Sequence, residues 1–125
     1  MAGEIPNYTV YEDTHVLAFL DIHPSAKGHT VVVPKRHYAS LHDVTDAEWE
    51  KISLGLKLTM TKIQMVLKPD GMNSGINEGA AAGQAVGHVH WHIIPRWAGD
   101  GGGSMHSIVQ SRHTGELKEV AGLFV

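Results

Sequence analysis

The stretch His88-Val89-His90-Trp91-His92-Ile93-Ile94 decides how this chain is read. Three imidazoles recur at every second residue, inside a run of β-branched and aromatic side chains. Successive side chains of a β-strand point to opposite faces, so residues i, i+2 and i+4 share one face. His88, His90 and His92 therefore project together, while Val89, Trp91 and Ile93 project the other way. Imidazole is the side chain best suited to nucleophilic and acid–base work near neutral pH. The spacing predicts a strand over residues 88–96, with its apolar face on a core and a chemically active face opposite.

Immediately before this strand lies Gly79-Ala80-Ala81-Ala82-Gly83-Gln84-Ala85-Val86-Gly87. Glycines let backbone N–H groups approach an anion closely, and Gln84 carries a side-chain amide donor. A histidine nucleophile needs one ring nitrogen free and the other hydrogen-bonded, together with donors for the charge that develops on phosphate oxygens. Taken alone the loop is an ordinary turn. Joined to the histidine row it makes an anion cradle beside candidate nucleophiles and acids.

Working outward, residues 8–11 (Tyr-Thr-Val-Tyr) and 16–21 read as a hairpin with a turn at Glu12-Asp13-Thr14. Residues 24–28 form a loop, and residues 29–33 a β-branched strand stopped by Pro34. Thr45-Asp46-Ala47-Glu48 fits a capping box. Trp49, Ile52, Leu56, Met60, Ile63 and Leu67 follow at spacings of three and four, which makes one long amphipathic helix ended by Pro69-Asp70-Gly71. The stripe is read as core packing. Residues 72–78 form a fourth strand, residues 98–104 a glycine-rich flexible link, and the chain from Thr114 has helical character. Strands and helices do not alternate. The expected fold is therefore α+β, an antiparallel sheet of about five strands with one long helix on one face and a short C-terminal helix.

At 125 residues the chain suits one domain, residues 1–125, with one core. Hydrophobic residues at 42% and charged residues at 18% argue against disorder. A formal charge of −3 leaves no general basic footprint for nucleic acid. With no cysteine, disulfides, thiolate zinc sites and cysteine nucleophiles are excluded, which fits a reducing compartment. No stretch reads as a membrane span or a leader, so a cytoplasmic protein is expected. Metal binding by the histidine row is disfavoured. His88 and His92 on a straight strand would stand about 13 Å apart at their Cα atoms, too far to share one ion.

The chain resembles the histidine triad (HIT) family of nucleotidyl hydrolases and transferases. Its signature, His-φ-His-φ-His-φ-φ with φ apolar, is matched at every position of residues 88–94. Leu20-Asp21-Ile22 followed by Gly28-His29-Thr30-Val31-Val32-Val33-Pro34-Lys35 is similar to the family's nucleoside-binding segment. Asn77-Glu78-Gly79 with Gly83-Gln84 is similar to its phosphate-binding segment. Residues 4–100 share the likeness.

The resemblance implies roles. His90 would attack the α-phosphate and become nucleotidylated. His92 would assist the phosphate oxygens or the leaving group. His88 and His29 would form the supporting network. Asp21 would accept from ribose hydroxyls, and Ile22 would pack near base or sugar. Asn77, Gly83 and Gln84 would hold the phosphate. Water would release a nucleoside monophosphate, most simply AMP, with no metal or other cofactor, from a homodimer. Asn77 is similar to the Hint branch, which acts on nucleoside phosphoramidates. Pro95-Arg96-Trp97-Ala98-Gly99-Asp100 is similar to the Fhit branch, which cleaves dinucleoside polyphosphates.

Two departures stand out. The family usually has Ser or Thr after Gln84, and here Ala85 removes one hydroxyl donor. Many microbial relatives carry an N-terminal cysteine pair that helps bind zinc. Here there is none, which reduces His37 to a surface histidine. Three functions follow: a hydrolase or transferase, a non-catalytic nucleotide-binding module favoured by Ala85, and a histidine-rich metal binder. His15, His23, His42, His106 and His113 are expected in loops or caps, with His23 bordering the nucleoside pocket. Lys35-Arg36-His37 reads as a solvated strand end, Trp91 as core and Trp97 as a rim or dimer contact. Gly101-Gly102-Gly103 precedes no clear helix and is rejected as a phosphate loop.

Overall fold

The computed structural model describes residues 8–110 and 114–125, so His113 lies outside the described residues. Five strands, β1 (Thr9–Glu12), β2 (Val16–Leu20), β3 (Thr30–Pro34), β4 (Gly71–Ile76) and β5 (Trp91–Arg96), form one sheet in the order β1-β2-β3-β5-β4. Every pairing is antiparallel. The long helix α1 (Asp46–Leu67) connects β3 to β4, and a short helix α2 (Leu117–Gly122) lies near the C-terminus. The expected α+β architecture is the observed one. No helix among the described residues is long and apolar enough to cross a membrane.

Local chemistry explains the element ends. Asp13 turns the β1–β2 hairpin by accepting from the N–H groups of His15 and Val16 at 2.7 and 2.9 Å. Thr45 caps α1 as expected, its hydroxyl accepting from the Glu48 N–H at 3.2 Å. The helix stops at Lys68, which adopts a left-handed conformation (φ 51°) ahead of Pro69.

The core lies between α1 and the sheet face carrying Val16, Ala18, Val32, Val89, Trp91 and Ile93. The helical stripe is correct in phase, yet two small residues within it make the closest approach. Gly55 and Thr59 are buried, and a Cβ on Gly55 would come within 2.5 Å of Val16 Cγ2. Larger residues flank this contact. Trp49, at the edge of the stripe, stacks obliquely on Trp91 with ring centroids 5.5 Å apart.

Strand β5 begins at Trp91, three residues later than the histidine pattern predicts. Its ladders to β3 and β4 both end at Trp91. Residues 88–90 nevertheless keep the alternation, with Val89 buried and His88 and His90 half-buried. The Val89 N–H donates to the Tyr38 carbonyl at 2.7 Å, which carries the extended backbone beyond the sheet.

Residues 98–104 are not a flexible link. Arg96 holds them with two parallel bonds to Asp100 (2.7 and 2.8 Å), one to Asn73 Oδ1 (2.7 Å) and one to the Gly103 carbonyl (2.5 Å). Such forked guanidinium–carboxylate pairing fixes geometry as well as charge. It holds the Asp100 carboxyl far below the usual carboxylate range, helped by the Gly102 and Trp97 N–H groups. A Cβ on Gly102 would collide with the Arg96 guanidinium, so any side chain there would push Arg96 out of this arrangement.

Candidate active site

Alternation along residues 88–96 puts His88, His90 and His92 on the sheet face opposite α1. His29, at the start of β3, joins them across the register that pairs Thr30 with Ile93. The rings of His90 and His92 meet edge to face with centroids 5.0 Å apart, and those of His29 and His92 lie 5.1 Å apart.

The hydrogen bonds determine which nitrogen of each neutral ring carries the proton. Carbonyl oxygens and backbone N–H groups have fixed roles, so a ring nitrogen opposite a carbonyl must be N–H and one opposite an N–H must be bare. His90 Nδ1 faces the His88 carbonyl at 2.9 Å. It therefore donates, and His90 Nε2 keeps an open lone pair. His29 Nδ1 faces the Ser25 N–H at 3.0 Å and accepts it. His29 Nε2 then carries the proton and donates to His92 Nδ1 at 2.9 Å, which leaves the His92 proton on Nε2. The two adjacent rings thus present complementary atoms, a nucleophilic nitrogen on His90 and a donor on His92. His88 Nε2 faces the Pro34 carbonyl at 3.3 Å, while its buried Nδ1 has no partner among the described residues. His37, expected as a surface histidine, is exposed, but its ring stacks on His88 with centroids 4.7 Å apart.

Burial pushes the pKa of His29, His88 and His92 below the ordinary histidine value, with Asp21 partly opposing the shift at His29. In the unfolded chain these groups titrate near 6.5. As pH falls below that value the unfolded chain binds protons that the folded chain refuses. Their contribution to stability is thus complete above pH 6.5 and declines as pH falls toward the depressed native values. The melting temperature should fall steadily from pH 7 to pH 5. Asp13 and Asp100, lowered from 3.8, act only in a more acidic window. A melting temperature that is flat between pH 7 and pH 5 would contradict this account.

Asp21 stands beside His29, with Oδ2 at 3.6 Å from His29 Nε2 and Oδ1 accepting from the His23 N–H at 2.8 Å. With Leu20 and Lys27 it lines a hollow of about 370 Å³. Ile22, the next residue, is 76% exposed and does not line this hollow. A second cleft, of about 930 Å³, shares His29 with this hollow and also includes His92 and Asn77.

In the loop before the triad, Gly83 adopts φ +96°. The Gln84 side chain ties the loop together. Its Oε1 accepts from the Gly79 N–H at 2.8 Å, and its amide donates to Val86 and Ala39 carbonyls at 3.0 and 3.3 Å. Those donors are therefore engaged within the protein. The exposed N–H groups of Ala85, Val86 and Gly87, by contrast, bond to no described residue.

Asp21, His29 and His92 also gather three possible metal-ligand atoms within 4.8 Å of one another. Metal coordination needs a bare nitrogen. The Ser25 N–H occupies His29 Nδ1 and leaves the proton on Nε2, the atom facing the cluster. The His37–His88 pair supplies two imidazoles where a structural zinc takes four ligands, and the chain has no cysteine.

Sequence reasoning missed Ser25, whose contribution is a backbone N–H that no side-chain pattern marks. It also missed the Arg96 anchor of residues 98–104, although the pairing of Arg96 and Asp100 four residues apart was visible. Among the remaining histidines, His23, His42 and His106 are exposed, while His15 is half-buried with Nδ1 at 3.5 Å from Glu48.

Comparison with known proteins places these features. The family described as HIT domain matches residues 2–99. An uncharacterised HIT-like protein of Methanocaldococcus jannaschii is 49% identical over 121 residues, covering 96% of this chain and 93% of its own. The crystal structure of a HIT family member from Bacillus subtilis superposes with a TM-score of 0.82 at 38% identity, over 98% of this chain and 88% of that one. A HIT family hydrolase from Legionella pneumophila superposes with a TM-score of 0.65 at 36% identity, over 74% and 83% of the two chains.

Proposed function

The chain belongs to the HIT domain family, and from that premise we propose that it is a nucleotidyl hydrolase or transferase cleaving a nucleoside 5′-phosphoryl bond through a nucleotidyl-His90 intermediate. The observation that carries this reading is the proton arrangement, a bare Nε2 on His90 beside an Nε2–H on His92. The His90 lone pair forms a bond to the α-phosphorus of a substrate with leaving group X. The P–X bond breaks, and its electron pair goes to X, which departs as HX after taking a proton from solvent. His92 Nε2–H holds the charge that develops on the phosphoryl oxygen or on X. Water then forms a new O–P bond, the Nε2–P bond breaks, and the nucleoside monophosphate leaves. In this scheme His29 keeps His92 in the tautomer that donates from Nε2, and the His88 carbonyl keeps His90 in the tautomer that leaves Nε2 bare.

Asp21 and Ile22 take the nucleoside, with adenosine the expected base. Asn77 and the open N–H groups of residues 85–87 take the phosphate, with Gly83, whose N–H is spent on the Ala80 carbonyl, and Gln84 shaping that loop. The substrate is an adenosine phosphoramidate or a dinucleoside polyphosphate, and the protein works in the cytoplasm. Incubation with each substrate in the presence of a chelator tests this, with AMP release as the readout. Tight nucleotide binding with no AMP from either substrate would replace the reading with that of a nucleotide-binding module. The exposed Ala85, which lacks a hydroxyl, would then be the residue to examine first.

The same reading makes the protein a homodimer. Among the described residues β4 is an edge strand with one unpaired side, and the outer face of α1 exposes Leu54, Leu58, Met65 and Val66. Unpaired edges and contiguous apolar faces favour association. Light scattering at micromolar concentration should give twice the mass of one chain, and a monomer mass would defeat the assignment.

A further inference from the structure

We propose that the cleft of about 930 Å³ between the β4–β5 face and residues 97–108 is the subsite for the leaving group, and that it selects a bulky apolar or aromatic group over a polyphosphate. This deepens the proposed function and rests on it. With the nucleoside in the Asp21 hollow and phosphorus beside His90 and His92, the remaining substituent on phosphorus needs a place of its own. The Asp21 hollow and the larger cleft share Ser25 to Lys27 and His29, but only the larger one includes His92 and Asn77. From those two residues the cleft runs away from the nucleoside hollow along Ile94 toward Arg96.

Its apolar lining comes from Ile94 on the β5 face and from Met105 and Ile108 of the covering segment. A Cβ on Gly75 would meet Met105 Cε at 3.4 Å, so the methionine lies directly over β4. The cover is held in place by the Arg96 bonds to Asp100 and Gly103. Those bonds also neutralise Arg96 as an anion ligand, because its forked face is spent on a carboxylate. Lys27 is then the one lining lysine or arginine without an ion pair among the described residues. A nucleoside polyphosphate leaving group carries several negative charges and would meet a single exposed lysine. An uncharged aromatic group would instead bury its surface on Ile94, Met105 and Ile108, which is favourable in proportion to the area removed from water.

The test compares N-benzyl and N-methyl adenosine 5′-phosphoramidates with diadenosine tetraphosphate. Wild-type kcat/KM should be about tenfold or more higher for N-benzyl than for N-methyl, the scale expected of several buried carbons, and the tetraphosphate should be the slowest. Ile94→Glu, on the β5 face, and Ile108→Asp, on the exposed cover where folding is not at risk, should each bring the benzyl-to-methyl ratio toward one. The same ratio is read without catalysis as relative Kd in His90→Ala. AMP release from both phosphoramidates with ratios near one, or ratios that neither variant moves, overturns the subsite and leaves the hydrolase reading intact. No AMP release with a preserved Kd ratio overturns the hydrolase reading and leaves the subsite standing as a binding site.

Discussion

His90→Ala should abolish AMP release, with kcat falling on the order of 10⁴-fold or more, the scale seen when a covalent nucleophile is removed. The expectation comes from the proton positions. Only His90 combines an Nδ1–H anchored on a backbone carbonyl with an Nε2 that no described group occupies. His92 Nδ1 is filled by His29, and His88 Nδ1 is buried without access to a phosphate. No neighbouring imidazole can therefore substitute. The ring is half-buried on the open face, and its one hydrogen bond is to the adjacent backbone, so the variant should keep its fold and melting temperature. Labelled substrate should leave an acid-labile nucleotide on the wild-type protein and none on the variant. Residual turnover within tenfold of wild type, or a nucleotide still carried by the variant, would remove His90 from the nucleophile's place.

The sequence made legible whatever depends on local periodicity. Alternation through residues 88–96 separates the imidazoles from Val89, Trp91 and Ile93, and it holds even where the ladder has ended. Thr45 and Glu48 mark the helix start through a capping interaction only three residues long. What stayed hidden depends on groups brought together by the fold. His29 and His92 are 63 residues apart, and their hydrogen bond follows from β3–β5 register. That Gln84 spends its amide on Ala39 and Val86 could not be read from a glutamine in a glycine-rich loop. Composition made residues 98–104 look flexible because glycine is permissive. The missing Cβ at Gly102 is what allows Arg96 to lie against it and pin the loop. Gly55 and Thr59 escaped the helical stripe because small residues score as weakly apolar, although close packing needs them there.

His92→Ala and His92→Gln should separate two roles that resemble each other on paper. If His92 acts by donating a hydrogen bond, Ala removes the donor and should lower kcat by about 10²- to 10³-fold, the usual cost of losing one donor to a developing oxyanion. Gln places an amide N–H near the former Nε2 and should recover at least tenfold of that loss. If His92 instead gave up its proton, Gln would serve no better than Ala. The structure favours donation. His92 receives a proton bond from His29 at Nδ1, and His29 is itself held by the Ser25 N–H. Losing the Nε2 proton would leave an imidazolate with no group positioned to replenish it. Both variants leave the buried His29 N–H without its acceptor, at a cost of about 1–3 kcal/mol, so both should melt lower than wild type. The split between them must appear in kcat and not in stability. The pH profile supplies the second readout. Burial keeps His92 neutral below the ordinary histidine range, and its protonation at still lower pH would set two N–H groups against each other across the His29 contact. In His92→Gln that source of acid inactivation disappears. Equal kcat for the Ala and Gln variants would sink the donor assignment and make His92 a proton donor to the leaving group.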